Sequence, residues 1–348
     1  MPKHAKNLVG VDIDPSGITA ARVRVNRGIV VEAAGFMPLE PGIVRDGEVV
    51  DVEALSEALR TLFKENKGLG KRVRVGLANQ KIVVRPMELP YLDNAKELDA
   101  AVRFTAQDQL PMPIDQAVLD YQALEVVPSP DGNGRSQRLL VVAARRDMVQ
   151  RVVSAVSGAG LRAEGIDLSA FAMIRALHRP EDADEHILYL AVGGLTNLAV
   201  AHGTTCVFTR PSGGGVEAIA IELAEICQLT LDHARGWLEH VGLQDAVEDI
   251  AGDEAIVTAA RRVLLDGARR IAADVRNSLD FYLGQGGDGM VSRAILTGPA
   301  VTIPGFNVAL SSELGLPVTN GAIDGAPDGV PTGRLAVAAG LATEKAPS

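Results

Sequence analysis

The stretch 187–215 constrains this chain more than any other. It reads as an apolar strand, a Gly193-Gly194 turn, a second strand, a turn at Gly203, a third strand, and Gly213-Gly214-Gly215 ahead of a helix. Apolar runs of this length between turns read as buried strands. Glycines at a tight turn let backbone N–H groups approach an anion, because no Cβ intervenes and φ can be positive. A phosphate could sit there.

The N-terminus carries a weaker copy of the plan. A strand with Leu8, Val9 and Val11 runs into Asp12-Ile13-Asp14-Pro15-Ser16-Gly17, then into Ile18, Ala20, Ala21, Val23 and Val25. Alone, either turn is one that Gly, Asp and Pro favour in any hairpin. Together, one at the head of each half, they resemble the plan of the actin-like ATPases.

A chain of 348 residues has the length of about two domains, and 47% hydrophobic content is enough for sizeable cores. The net charge of -10 argues against a nucleic-acid surface, which needs Lys and Arg. Cys206 and Cys227 lack CxxC spacing or a histidine-rich neighbourhood, so both read as core thiols. The start, Met-Pro-Lys-His-Ala-Lys-Asn, has no apolar stretch of signal-peptide length behind it. Nowhere is there a run of about 18 apolar residues, and the tail 344–348 is short and polar. The expected location is cytoplasmic, with any membrane role supplied by a partner.

After the first hairpin comes a third strand at 28–36. Asp51 then caps a helix with Leu55, Leu59, Leu62 and Phe63, and Val73, Val75 and Leu77 alternate as a strand. Leu89-Pro90 marks a boundary. Asn94 and Glu97 form a capping-box pattern before a helix carrying Leu98, Val102, Ala106 and Leu110. A strand at 118–127, a loop at 128–136, a strand at 139–144 and a helix opened by Asp147 complete this block. An acidic linker at 181–185 precedes the second half. There, helices follow the three glycines, a long one runs over 253–283 with Ile256, Ala260, Val263 and Ile271 on its buried face, and a turn falls at 284–289. Strand 294–297, a helix from 303 to about 315 and a last one at 335–341 close the chain.

Two elements of the middle block carry a more specific resemblance: Pro111-Met112-Pro113-Ile114-Asp115 and Leu119-Asp120-Tyr121-Gln122. In that order, after Leu89-Pro90 and a helix, they resemble the PilM family, the actin-like cytoplasmic proteins of type IV pilus assembly and relatives of the division protein FtsA. The resemblance covers essentially the whole chain. It implies an α/β, actin-like two-domain ATPase fold of the FtsA type with an α/β subdomain inserted in the first domain. The implied boundaries are 1–80 and 164–185 for the first domain with its linker, and 81–163 for the insert. In the second domain, 186–215 and 291–348 form the core and 216–290 the helical part.

Against that family the nucleotide motifs are altered. The first phosphate loop is usually Asp-x-Gly followed by Thr or Ser. Here Asp12 matches, but Asp14 replaces glycine and Pro15 replaces the hydroxyl residue. A carboxylate repels a triphosphate unless a metal bridges them, and proline supplies no N–H. The second loop, Ala191-Val192-Gly193-Gly194, lacks its acid, and Gly298-Pro299-Ala300 keeps one glycine of the adenosine loop. The implied cofactor is ATP with Mg²⁺. The residues left for it are Asp12, Ser16, Gly17, Gly193, Gly194, Thr196, Asn197, Gly213, Gly214, Gly215 and Gly298, with Asp12 the one metal-organising carboxylate. Hydrolysis lacks its positioning groups and no catalytic residue is assigned.

The resemblance implies an interaction protein, a pseudo-ATPase scaffold recruited to the inner face of the membrane. Its partner would be the N-terminal cytoplasmic tail of a bitopic PilN-like protein, held in a groove between the first domain's core and the insert, with residues about 73–163 the region to search. Self-association is a further expectation. The competing readings are a nucleotide-binding actin-like ATPase and a GspL-like component of type II secretion. Relatives of the latter continue into a membrane helix, and this chain ends without one.

Overall fold

The computed structural model describes residues 8–26, 28–129, 134–284, 289–323, 325–327 and 330–343. Both termini, most of the turn read at 284–289 and the centre of the loop at 128–136 lie outside them. Contacts divide the chain into a large unit, 1–78 with 155–348, and a small one, 79–154.

The large unit opens with a three-strand meander, β1 (Leu8–Asp14), β2 (Gly17–Val25) and β3 (Ile29–Pro38). A two-strand ribbon, β4 (Val44–Arg45) and β5 (Glu48–Val49), leads to helix α1 (Val52–Glu65). Asp51 caps that helix as expected, its carboxylate accepting from the N–H of Ala54 at 2.9 Å. Next, β6 (Arg72–Leu77) pairs parallel with β1.

The small unit is a three-strand sheet with a helix against it. It comprises β7 (Val83–Pro90), α2 (Ala95–Gln109), β8 (Ala117–Pro128) and β9 (Arg135–Arg145), in the order β7-β9-β8. Its core is Met87, Leu89, Val102, Ala106, Leu139 and Val141. Asn94 caps α2 through Lys96, but Glu97 reaches the Asn94 side-chain amide at 3.1 Å rather than its backbone, so the capping box is half formed. Strand β7 is absent from the sequence reading. Pro86 and Pro90 argue against a strand, and it exists because it pairs on one side alone, with β9.

Helix α3 (Arg146–Gly158) follows, then β10 (Arg162–Leu168) on the far side of β6, and α4 (Ser169–Leu177), buried on nearly every residue. The second half repeats the meander with β11 (His186–Val192), β12 (Leu195–His202) and β13 (Thr205–Gly213). Helices α5 (Val216–Cys227), α6 (Leu231–Val241), the 31-residue α7 (Glu254–Gly284) and α8 (Phe306–Leu314) flank β14 (Arg293–Thr297) and β15 (Val318–Asn320), and α9 (Leu335–Leu341) is the last element.

The two five-strand sheets have one topology. In each, three consecutive strands pair antiparallel, and the first of them pairs parallel with a fourth strand that pairs parallel with a fifth: β3-β2-β1-β6-β10 and β13-β12-β11-β14-β15. Along β11 the side chains divide between two cores. Leu188, Leu190 and Val192 meet α5 through α8, while Ile187 and Tyr189 share a core with α4, α9 and residues of β2 and β3. Helices α4 and α9 therefore draw side chains of both sheets into one cluster. This places the β1–β2 and β11–β12 turns at one cleft.

Candidate functional site: the cleft between the two turns

Asp14 ends β1 with its carboxylate pointed at the other turn. Its Oδ1 accepts from the N–H of Ser16 at 2.9 Å, from the Ser16 hydroxyl, and from the N–H of Gly194 at 2.8 Å. Its Oδ2 accepts from Gly194 at 3.0 Å and from the N–H of Leu195 at 3.2 Å. Gly194 is required by this approach, since a Cβ there would lie 2.6 Å from Asp14 Oδ1 and 2.9 Å from Pro15. A glycine's positive φ is used elsewhere, at Gly214 (91°) and Gly298 (85°).

Arg334, just before α9, completes the cluster and was missed by sequence reasoning, because nothing in the local pattern distinguishes it. Its Nη1 donates to Ser16 Oγ at 2.9 Å and its guanidinium lies 4.4 Å from the Phe36 ring centroid. Burial lowers the Arg334 pKa, while Asp14, Glu217 and Asp12 act to keep it charged. Glu217, in the first turn of α5, is held by Arg235 of α6 through Nε at 3.0 Å and a second contact from Nη2. Asp12 lies deeper. Burial first, and then the Asp14 charge, push its pKa up to about 7, against the Ser169 hydroxyl at 3.3 Å and the charge of Arg334.

Asp12, Gly193, Asn197 and Gly298 line one cavity, together with Asp14, Ser169, Thr297, Gly333 and Arg334. Ser16, Gly17, Gly194 and Thr196 lie behind this lining. Gly17 is packed so that a Cβ would meet Phe36, and the Thr196 hydroxyl donates to the Gly214 carbonyl at 2.8 Å. Of the three glycines, Gly215 passes so near the Gly193 carbonyl that a Cβ there would collide with it. Asn197 Oδ1 is buried without a hydrogen-bond partner among the described residues. The cavity volume is about 40 Å³, room for roughly three waters. A triphosphate needs the N–H donors of Ser16, Gly194 and Leu195, which Asp14 already takes. As built, the cleft does not fit Mg-ATP. Among the described residues no group of three or more His, Cys, Asp or Glu is arranged to hold a metal, and no helix is long and apolar enough to cross a membrane.

A family model described as type IV pilus assembly protein PilM matches residues 10–320. The chain belongs to the PilM family. Among solved structures it is similar to the PilM-PilN type IV pilus biogenesis complex, at 25% identity over 97% of each chain and a TM-score of 0.77. It is also similar to the ethanolamine utilization protein EutJ of Carboxydothermus hydrogenoformans (17% identity, 96% of this chain and 88% of that one, TM-score 0.55). A third match is MreB5 of Spiroplasma citri bound to ADP (12%, 97% and 95%, 0.56). These last two speak to the fold, which is actin-like.

The PilM motifs of the small unit have structural work there. Ile114, Leu119 and Tyr121 pack on its core. Arg146 fixes the intervening backbone, donating through Nη2 to the Ala117 carbonyl at 2.8 Å and through Nε to that of Asp115 at 3.3 Å.

Proposed function

We propose that this PilM-family chain is a scaffold of a type IV pilus machine that holds the cytoplasmic tail of a PilN-like membrane protein and does not turn over ATP. The observation that carries the reading is the similarity, over nearly the full length of both chains, to a PilM described in complex with PilN. On this reading the chain works at the inner face of the membrane through that partner, and residues 73–163, with the insert at 81–163, are where the tail is held. An extended tail docking on a preformed surface needs little rearrangement of the scaffold.

The nucleotide side of the reading rests on residues. Ala191 stands where an acid would hold the metal and attacking water, and Asp12, the remaining carboxylate, is drawn towards its neutral form near pH 7. The residues proposed for phosphate contact, Asp12, Ser16, Gly17, Gly193, Gly194, Thr196, Asn197, Gly213 to Gly215 and Gly298, are on this account remnants of a nucleotide cleft.

The test is fluorescence anisotropy with a labelled synthetic peptide of the N-terminal tail of the PilN-like protein from the same genome. Saturable binding is expected, absent with a scrambled tail and unchanged by Mg-ATP. A tail that binds no better than its scrambled control would sink the scaffold reading, and phosphate release above the buffer blank would sink the inactive-ATPase part.

A further inference from the structure

We infer that Asp14 and Arg334 form a ligand built into the cleft, the carboxylate taking the place of a nucleotide's phosphate and the guanidinium that of its metal. The inference rests on the reading that the cleft holds no nucleotide, and it says what holds the cleft instead.

The geometry of Asp14 is that of a bound anion. Backbone N–H groups of Ser16, Gly194 and Leu195 and one hydroxyl converge on a single carboxylate, from two turns about 180 residues apart in sequence. A carboxylate offers about four lone-pair sites, so these donors saturate it. Convergent backbone N–H groups at glycine turns bind anions, and hydrogen bonds to an ionised acceptor are the stronger kind. An anion cluster also needs a counter-charge. The charge of Asp14, and less that of Glu217, favours a charged Arg334 against the charge of Arg235, and a hydrogen bond to Ser16 Oγ and a position over Phe36 fix the guanidinium at the edge of the same cavity.

A group on the same chain spends no association entropy, so its effective concentration exceeds what a free ligand at millimolar levels reaches. The two turns then stay joined whatever the nucleotide supply.

The experiment compares thermal unfolding of the wild type and Asp14→Ala in potassium chloride and in inorganic phosphate at matched ionic strength. The variant should unfold several degrees below the wild type in chloride, and phosphate should raise the variant's midpoint more than the wild type's. Phosphate stabilises proteins generally as a salt, so equal gains in the two proteins overturn the inference. Should Asp14→Ala not fold, the wild type decides alone. A midpoint raised by Mg-ATP overturns the inference. An unmoved midpoint, with Gly194 and Leu195 amides exchanging equally slowly with and without Mg-ATP, supports it. No tail peptide is present in these samples, so failure here leaves the partner reading standing.

Discussion

Because burial first, and then the charge of Asp14, outweigh the Ser169 hydroxyl donating to its Oδ1 and the charge of Arg334, Asp12 keeps its proton up to about pH 7, against 3.8 for an ordinary aspartate. Below pH 3.8 both folded and unfolded chains are protonated at this position, and the group does not affect stability. As pH rises from there the unfolded chain ionises first, so stability is lost progressively until about pH 7 and is level above it. The slope is about 1.4 kcal/mol per pH unit, and the whole loss is at most about 4 kcal/mol, because Asp12 keeps some accessible surface in the cavity. Asp12→Asn removes the titration. Paired urea melts should find the variant equal to the wild type near pH 4 and more stable at pH 8, and a difference that does not vary with pH would contradict this account. The position of Asp12 was legible from its place at the end of an apolar strand. Its protonation was not, since that depends on Ser169, Arg334 and the cover over the cavity, which only folding assembles.

Among the elements, α9 shows most clearly how a readable segment can hide its role. Its seven residues, Leu-Ala-Val-Ala-Ala-Gly-Leu, are apolar all round and all buried, so periodicity names a helix but no face. Its small residues are what admit it. A Cβ on Gly340 would collide with the Ala172 carbonyl of α4, and a Cβ on Gly10 of β1 with the Ala338 carbonyl of α9. Carbonyls at the end of α9 accept from arginines of other elements, Arg74 donating to Leu341 O at 3.3 Å and Arg175 to Gly340 O at 3.1 Å. Gly340→Ala should therefore cost about 3 kcal/mol, even though alanine is the better helix former. Chemical denaturation checks this, and a neutral or stabilising result would mean that α4 and α9 can separate without loss. Caps were the readable part of the elements, because Asp51 and Asn94 act within their own turn. Strand β7 was not readable, because tolerance of Pro86 and Pro90 depends on which neighbour the strand lacks.

For the whole molecule, the cluster around α4 and α9 sets the cooperativity. Ala21, Ile29 and Val31 of the first sheet and Ile187, Tyr189, Ala199 and Ile295 of the second bury against the same two helices. A chain stopped after residue 330 loses α9 and with it the cover of both sheets and Arg334. It should show no cooperative near-UV dichroism transition for the large unit, and a sharp one would show that the sheets hold without this helix. By itself the sequence determined the two-half α/β plan and the family, and it put alanine at 191, where the resemblance implies an acid, since strand periodicity, glycine turns and motif residues are local properties of the chain. Tertiary structure decided that Asp14, read as a damaged phosphate loop, is a satisfied anion at the opposite turn. It also decided that Arg334 is that anion's counter-charge. Those facts depend on backbone N–H groups and a guanidinium brought in from far along the chain, and no local pattern encodes such a meeting.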